Sequence, residues 1–161
     1  MDIPAGDVSF RATDSNKGTP MRDFQLPGRS PVFATNGLCA TSHPLASKVA
    51  VETLQAGGNA MDAAIAGAVL LGLCEPAMTG LGGDCFVLWS KGDRKDVFAV
   101  NGSGRAPTAL DAAMLRDAGE KTVPVFDAHA VTIPTAIAAF AHLSETAGKL
   151  GLDRLLAPSI H

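Results

Sequence analysis

Arg105, in the stretch "NGSGRAP", follows an apolar run and sits between Gly104 and Ala106. Its guanidinium offers a planar fork of N–H donors that matches a carboxylate, so an anion anchor is one reading and a surface ion pair the other. Ser103 lies two residues earlier on the same segment. Upstream, "GLGGD" places Gly80, Gly82 and Gly83 before Asp84. It is not a phosphate loop, since no Lys-Ser/Thr follows, and its order of helix, glycines and strand is not that of the dinucleotide fingerprint. Consecutive glycines can still aim several backbone N–H groups at one point and hold an anion or oxyanion; the plain alternative is a tight turn.

Other polar candidates have simpler explanations. His43 precedes Pro44 at an expected helix start, where a polar side chain caps, and His129 and His142 have no companions at catalytic spacing. No Ser-His-Asp arrangement exists, and Ser103 lacks the glycine frame of a nucleophile elbow. Asp62 and Glu75 could form a carboxylate pair, but the ends of one helix explain both. Cys39, Cys74 and Cys85 show neither CxxC nor His-paired spacing, which excludes a zinc cluster and a disulfide framework. They are expected to be buried thiols in a reducing compartment. No metal and no cofactor is implied.

Composition narrows the partners. Of 161 residues, 47% are hydrophobic and 18% charged, enough for one globular core. A net charge of -3, 5% aromatic residues and no Tyr leave little to bind nucleic acid. The opening "MDIPAGDVSF" is not a signal peptide, so the expected location is cytoplasmic, or periplasmic if a signal peptide has been removed.

The elements that must position these residues follow from punctuation and periodicity. Residues 1 to about 36 suit an N-terminal arm, and 37–161 a folded portion. Leu38–Thr41 reads as a short strand. Pro44 opens a helix with Ser42 or His43 as cap; it runs to about Ala56, stops at Gly57-Gly58, buries Leu45, Val49 and Leu54, and wets Lys48 and Glu52. Asn59 caps a second helix with Asp62 in its first turn. Ala63 to Cys74 contains no charge, so that helix must be covered on every side; at this length it is a core helix and not a membrane span, which needs about 20 residues. Cys85–Ser90 and Asp96–Val100 read as a hairpin turning around Gly92-Asp93. Further helices are expected from about Ala109, from near Pro134 to Gly148, and within "GLDRLLAPSIH", which ends without a stop signal and suggests a longer protein.

In order, "SHPLASKVAVETLQAGGNAMDAAIAGAVLLGLCEP", "GLGGDCFVLW", "RAP", "IPTAIAAF" and "LLAPSI" resemble the start of the large subunit of γ-glutamyltranspeptidases, over roughly residues 37 to 160. The resemblance implies an N-terminal-nucleophile hydrolase with an αββα sandwich, an α/β (α+β) class fold completed by residues outside this chain. It further implies a proenzyme that cleaves itself before a threonine, whose hydroxyl attacks a γ-glutamyl amide and passes the acyl group to water or to an amino acid or peptide. No residue here matches that threonine, so no catalytic residue is expected in this chain. The small subunit or remaining chain would be its partner, in a heterodimer or dimer of heterodimers, with a small-molecule amide as substrate.

One departure bears on that substrate. The family's carboxylate-binding arginine stands four residues before the proline of an "REXAP"-like stretch; here Ser103 fills that place and the arginine is Arg105. Two residues apart on an extended segment, they share a side. Losing a bidentate charged contact costs on the order of 2–3 kcal/mol, about a hundredfold in affinity, enough to change the preferred substrate. Ser103 and Arg105 are therefore the expected substrate contacts, and Gly80, Gly82, Gly83 and Asp84 a loop that shapes the site by letting backbone pack closely. Related hydrolases acting on oxamate-like amides or cephalosporin side chains are an alternative. A non-catalytic binding or assembly module is another.

Overall fold

Pro44, with its φ preset and no N–H to lose, starts helix α1 (Pro44–Gln55), and the ring Nδ1 of His43 accepts the Leu45 N–H at 3.3 Å as its cap. The computed structural model describes residues 31–92 and 95–161. Most of the expected arm and part of the Gly92-Asp93 turn lie outside those residues. Leu38–Thr41 forms no strand; among the described residues no backbone hydrogen bond pairs it with another segment, and Leu38 is exposed. Helix α1 ends where expected, with Ala56 as its C-cap and Gly57 in the left-handed region at φ 92°.

The buried stripe of α1 differs from the expected one. Ala46, Val49, Ala50 and Thr53 face inward, while Leu45 is exposed and Leu54 only half-buried. Small residues win because helix α2 (Ala60–Cys74) comes close: a Cβ added to Gly67 would lie 3.4 Å from the Ala46 carbonyl and 3.6 Å from the Ala50 Cβ. Lys48 and Glu52 pair at 2.6 Å on the wet face. Across the far end of the two helices, the Ser42 hydroxyl donates to Glu75 at 2.7 Å, which makes Glu75 a tether at the C-cap of α2.

Asn59 and Asp62 form a reciprocal capping box at the start of α2: the Asn59 Oδ1 accepts the Asp62 N–H at 3.0 Å, and the Asp62 Oδ2 accepts the Asn59 N–H at 2.8 Å. Asp62 does more than the expected charge–dipole duty. It is fully buried, and its oxygens also accept from the backbone N–H groups of Lys149 at 3.0 Å and Leu150 at 3.3 Å. The Asn59 side chain donates to the Ala147 carbonyl at 2.7 Å. One cap thereby grips the junction between helices α4 (Ala136–Ala147) and α5 (Leu152–Ile160), 87 residues on. Gly148 must be glycine there, since a Cβ would sit 2.8 Å from the Asp62 carboxylate and 2.6 Å from the Ser144 carbonyl.

Strands β1 (Cys85–Ser90) and β2 (Val97–Gly102) pair antiparallel, with Cys85 opposite Gly102 and Ser90 opposite Val97. Period-two alternation sends Cys85, Val87, Trp89 and Val100 toward α4 and the core built on Ile65, Phe140, Leu143 and Leu155; Phe86 and Leu88 face away and are exposed. Trp89 and Phe98 stack across the strands at 4.6 Å. Helix α3 (Ala112–Asp117) begins three residues later than expected, because Asp111 supplies the cap. Helix α2 is not covered on every side: α1, α4 and α5 pack on it, yet Ala64 is exposed and Leu73 is 63% exposed. Of the three cysteines only Cys85 is buried, and desolvation raises its thiol above the ordinary value, leaving it a protonated core group; Cys39 and Cys74 are half-buried.

Asp62→Ala removes the acceptor for three backbone N–H groups inside the core, so a loss of roughly 3 kcal/mol is expected. Urea unfolding of wild type and variant measures it; a loss below about 1 kcal/mol would refute the role given to this carboxylate.

Candidate functional site

Three segments meet at the end of the hairpin away from its turn: Gly83-Asp84 leading into β1, Gly102–Arg105 leaving β2, and Thr132–Ala136 opening α4. Their backbones are laced together. The Gly83 carbonyl accepts the N–H groups of Thr135 at 3.3 Å and Ala136 at 3.0 Å, capping α4 in place of a side chain. The Thr135 hydroxyl donates to the Gly102 carbonyl, and Ile133 N–H donates to the Arg105 carbonyl at 3.0 Å. Asp84 completes the lacing through one oxygen, Oδ1, which accepts the Gly104 N–H at 2.8 Å and the Thr132 hydroxyl at 3.3 Å.

This lacing leaves no room for side chains on one face of the segment. A Cβ at Gly104 would lie 2.2 Å from the Ile133 carbonyl and 2.6 Å from the Thr132 hydroxyl; one at Gly102 would lie 2.7 Å from the Cys85 carbonyl and 2.9 Å from the Ala139 Cβ. With Gly102 and Gly104 pressed inward, Ser103 and Arg105 alternate outward and are both exposed. Among the described residues neither the Arg105 guanidinium nor the Ser103 hydroxyl has a hydrogen-bonding or ionic partner. The ion pair that would make Arg105 a plain surface residue is therefore missing from the described residues, and its donors are open to a ligand carrying a carboxylate.

The close backbone approach expected at the glycine run is modest there, with the Gly80 Cα 3.4 Å from where a Gly72 Cβ would stand, and is tighter at Gly102 and Gly104. At Gly80 and Gly82 an added Cβ would meet nothing within 4 Å, and neither has a positive φ. Gly83 donates to the Gly80 carbonyl at 3.2 Å and turns its own carbonyl, not its N–H, toward α4. So the run is a tight turn whose fixed points are Gly83 and Asp84. Thr132, Thr135, Gly102 and Gly104 were missed as supports of the site; the alternation "GSGR" was the available signal, since glycines at every second position mark a face with no space.

The remaining candidates stand apart. His43 caps α1, His142 is exposed on α4, and His129 pairs with Asp127 at a 3-10 turn (Ala128–Ala130), whose backbone and side-chain hydrogen bonds hold the Asp127 carboxyl below its usual range. Asp62 and Glu75 lie at opposite ends of α2 and share no site. No group of three metal-ligating side chains occurs among the described residues. A cavity of about 370 Å³ between α2 and β1 reaches Asp84 and is lined by Met61, Ala64, Ala68, Leu88 and Phe140. A larger one, about 660 Å³, lies at the opposite end of β1 around Asn59, Ser90, Lys91 and Thr146; neither cavity is lined by Ser103 or Arg105, and the laced end is the better candidate because its open cation faces outward there.

Residues 46–161 match the family described as gamma-glutamyltranspeptidase. The glutathione hydrolase proenzyme of Bacillus subtilis (strain 168) is 34% identical over 162 residues, 98% of this chain but 27% of that protein. The crystal structure of Helicobacter pylori gamma-glutamyltranspeptidase superposes with a TM-score of 0.73 at 30% identity, over 81% of this chain and 38% of the other. That of cephalosporin acylase from Bacillus halodurans gives 0.76 at 42% identity, over 86% and 26%. The chain thus spans about a quarter of the length of the curated relative it matches.

Gly104→Ala is expected to cost on the order of 2 kcal/mol in thermal unfolding, whereas Gly82→Ala should stay within about 0.5 kcal/mol. Equal effects of the two substitutions would refute the lacing as the reason for Gly104.

Proposed function

Because this chain belongs to the gamma-glutamyltranspeptidase family, we propose that it is a large-subunit portion of a self-cleaving enzyme that hydrolyses or transfers γ-glutamyl groups, as from glutathione. The observation that carries this reading is the family match across residues 46–161, which contains the whole laced segment. The curated relative is named a proenzyme, which supports processing into two subunits and a heterodimer with the remaining chain. In this proposal an N-terminal threonine on the partner subunit attacks the amide carbonyl. Its hydroxyl proton passes to its own α-amine, the leaving amine departs, and the acyl-enzyme is released to water or to an amino acid. Arg105, with Ser103 beside it, anchors the substrate carboxylate from this chain.

A specific observation favours a second reading, hydrolysis of another small amide. Identity with the cephalosporin acylase is 42%, against 30% with the H. pylori transpeptidase, and Ser103 occupies the position expected for the transpeptidase arginine. A serine hydroxyl there keeps a hydrogen bond but gives up the charge, which shifts preference toward substrates that meet Arg105 two residues on.

The self-cleaved full-length protein is expected to release p-nitroaniline from γ-glutamyl-p-nitroanilide, and Arg105→Ala to lower kcat/KM by about a hundredfold, near 3 kcal/mol. Turnover of oxamate or a glutaryl amide without turnover of the γ-glutamyl substrate would establish the second reading; an unaffected Arg105→Ala would remove the anchor.

A further inference from the structure

We infer that Asp84 is a positioning residue for substrate selection: its carboxylate sets the Ser103–Arg105 segment in the one register that points Arg105 at a substrate carboxylate. The inference rests on the anchoring role given to Arg105 above and adds the device that aims it.

The geometry is asymmetric in a telling way. Asp84 Oδ1 accepts both the Gly104 N–H at 2.8 Å and the Thr132 hydroxyl at 3.3 Å, while Oδ2 has no hydrogen-bond donor among the described residues. Gly104 is the residue between the two outward side chains, and its N–H is held by the Asp84 carboxylate at 2.8 Å. A single charge-assisted bond at that N–H therefore fixes the peptide plane from which Ser103 and Arg105 project. On the other side of Gly104 the Arg105 carbonyl is held by Ile133 N–H at 3.0 Å, so the segment is clamped at two consecutive residues by two different elements. Ser103 N–H is in turn taken by the Asn101 side chain at 3.0 Å.

Gly104 is seated closely, its α-carbon against the Ile133 carbonyl with no room for a Cβ. If the Asp84 acceptor is lost, the Gly104 N–H is left without a partner and the peptide can rotate. The backbone from which Arg105 projects then loses one of its two clamps, while the side chain's charge and length are unchanged. A backbone fixed before binding leaves only the side chain of Arg105 to be ordered by the substrate, so less of the bidentate contact is cancelled by the cost of ordering. A mobile backbone under Arg105 would weaken capture of a carboxylate without altering chemistry at the amide. The expected signature of Asp84 is thus in binding and KM, expressed through Arg105.

The test uses self-cleaved full-length protein as wild type, Asp84→Ala, Asp84→Asn, Arg105→Ala and the Asp84→Ala/Arg105→Ala double variant. KM and kcat are measured on γ-glutamyl-p-nitroanilide, and the dissociation constant of L-glutamate by titration calorimetry. Asp84→Ala should raise KM and the dissociation constant about tenfold with kcat within threefold, and the double variant should be no worse than Arg105→Ala alone. Asp84→Asn, whose amide oxygen can still accept from Gly104, should stay within threefold of wild type. If Asp84→Ala does not fold, Thr132→Val, which strips the second donor from Oδ1, should raise the dissociation constant severalfold while Asp84→Asn does not. Additive effects in the double variant, a fall confined to kcat, or Asp84→Asn as poor as Asp84→Ala would overturn the positioning role while leaving the Arg105 anchor standing. No effect of Arg105→Ala, or no binding of L-glutamate by wild type, would overturn both.

Discussion

Asp62 is withdrawn from water altogether, and a carboxylate in that setting must find all its hydrogen bonds inside the protein. It finds them at the start of its own helix and at the turn between α4 and α5, which joins two parts of the chain nearly ninety residues apart. The turn between α4 and α5 is seated on Asp62, and α1 leads through the Gly57-Gly58 stop into the Asn59 cap of the same helix. The apolar core of Ile65, Phe140, Leu143 and Leu155 supplies the bulk of the burial, and the carboxylate decides its register.

The candidate site repeats the same device at the surface. Asp84, like Asp62, is a carboxylate that collects donors from residues remote in sequence, and each sits where the backbone it grips has a glycine with no space for a Cβ. The difference is solvent. Asp62 is sealed and structural, whereas Asp84 is exposed, with one oxygen committed to the lacing. The hairpin carries this arrangement because its paired strands bring Cys85 opposite Gly102, and so the residue before β1 beside those after β2. Anchoring the same corner to the N-terminus of α4 ties the site to the core through Ala136, Ala139 and Phe140.

Where sequence reading and structure part company over packing, the cause is what other parts of the chain cover or leave open. Leu45 satisfies the periodicity of α1, yet the buried positions went to Ala46 and Ala50, because α2 approaches too closely for leucine. The apolar helix α2 was expected to be enclosed, yet Leu73 stays open, since the helices packed on it leave part of its circumference free. The run Gly80–Gly83 looked like the place of closest backbone contact; the tighter contact lies at Gly102 and Gly104, where three segments converge.

By itself the sequence determined the local grammar and the lineage. Pro44, the Gly57-Gly58 stop, the Asn59–Asp62 box and the alternation of β1 are short-range signals, each readable because the physics that sets it acts within four residues. The ordered blocks from "SHPLAS" to "IPTAIAAF" were enough to name the family. The tertiary structure alone decided that Asp62 holds the α4–α5 turn, that Asp84 meets Gly104 and Thr132, and that Ser103 and Arg105 leave the hairpin on its open face. Those facts depend on pairs separated by 20 to 88 residues, and no local pattern encodes which distant N–H a carboxylate will find.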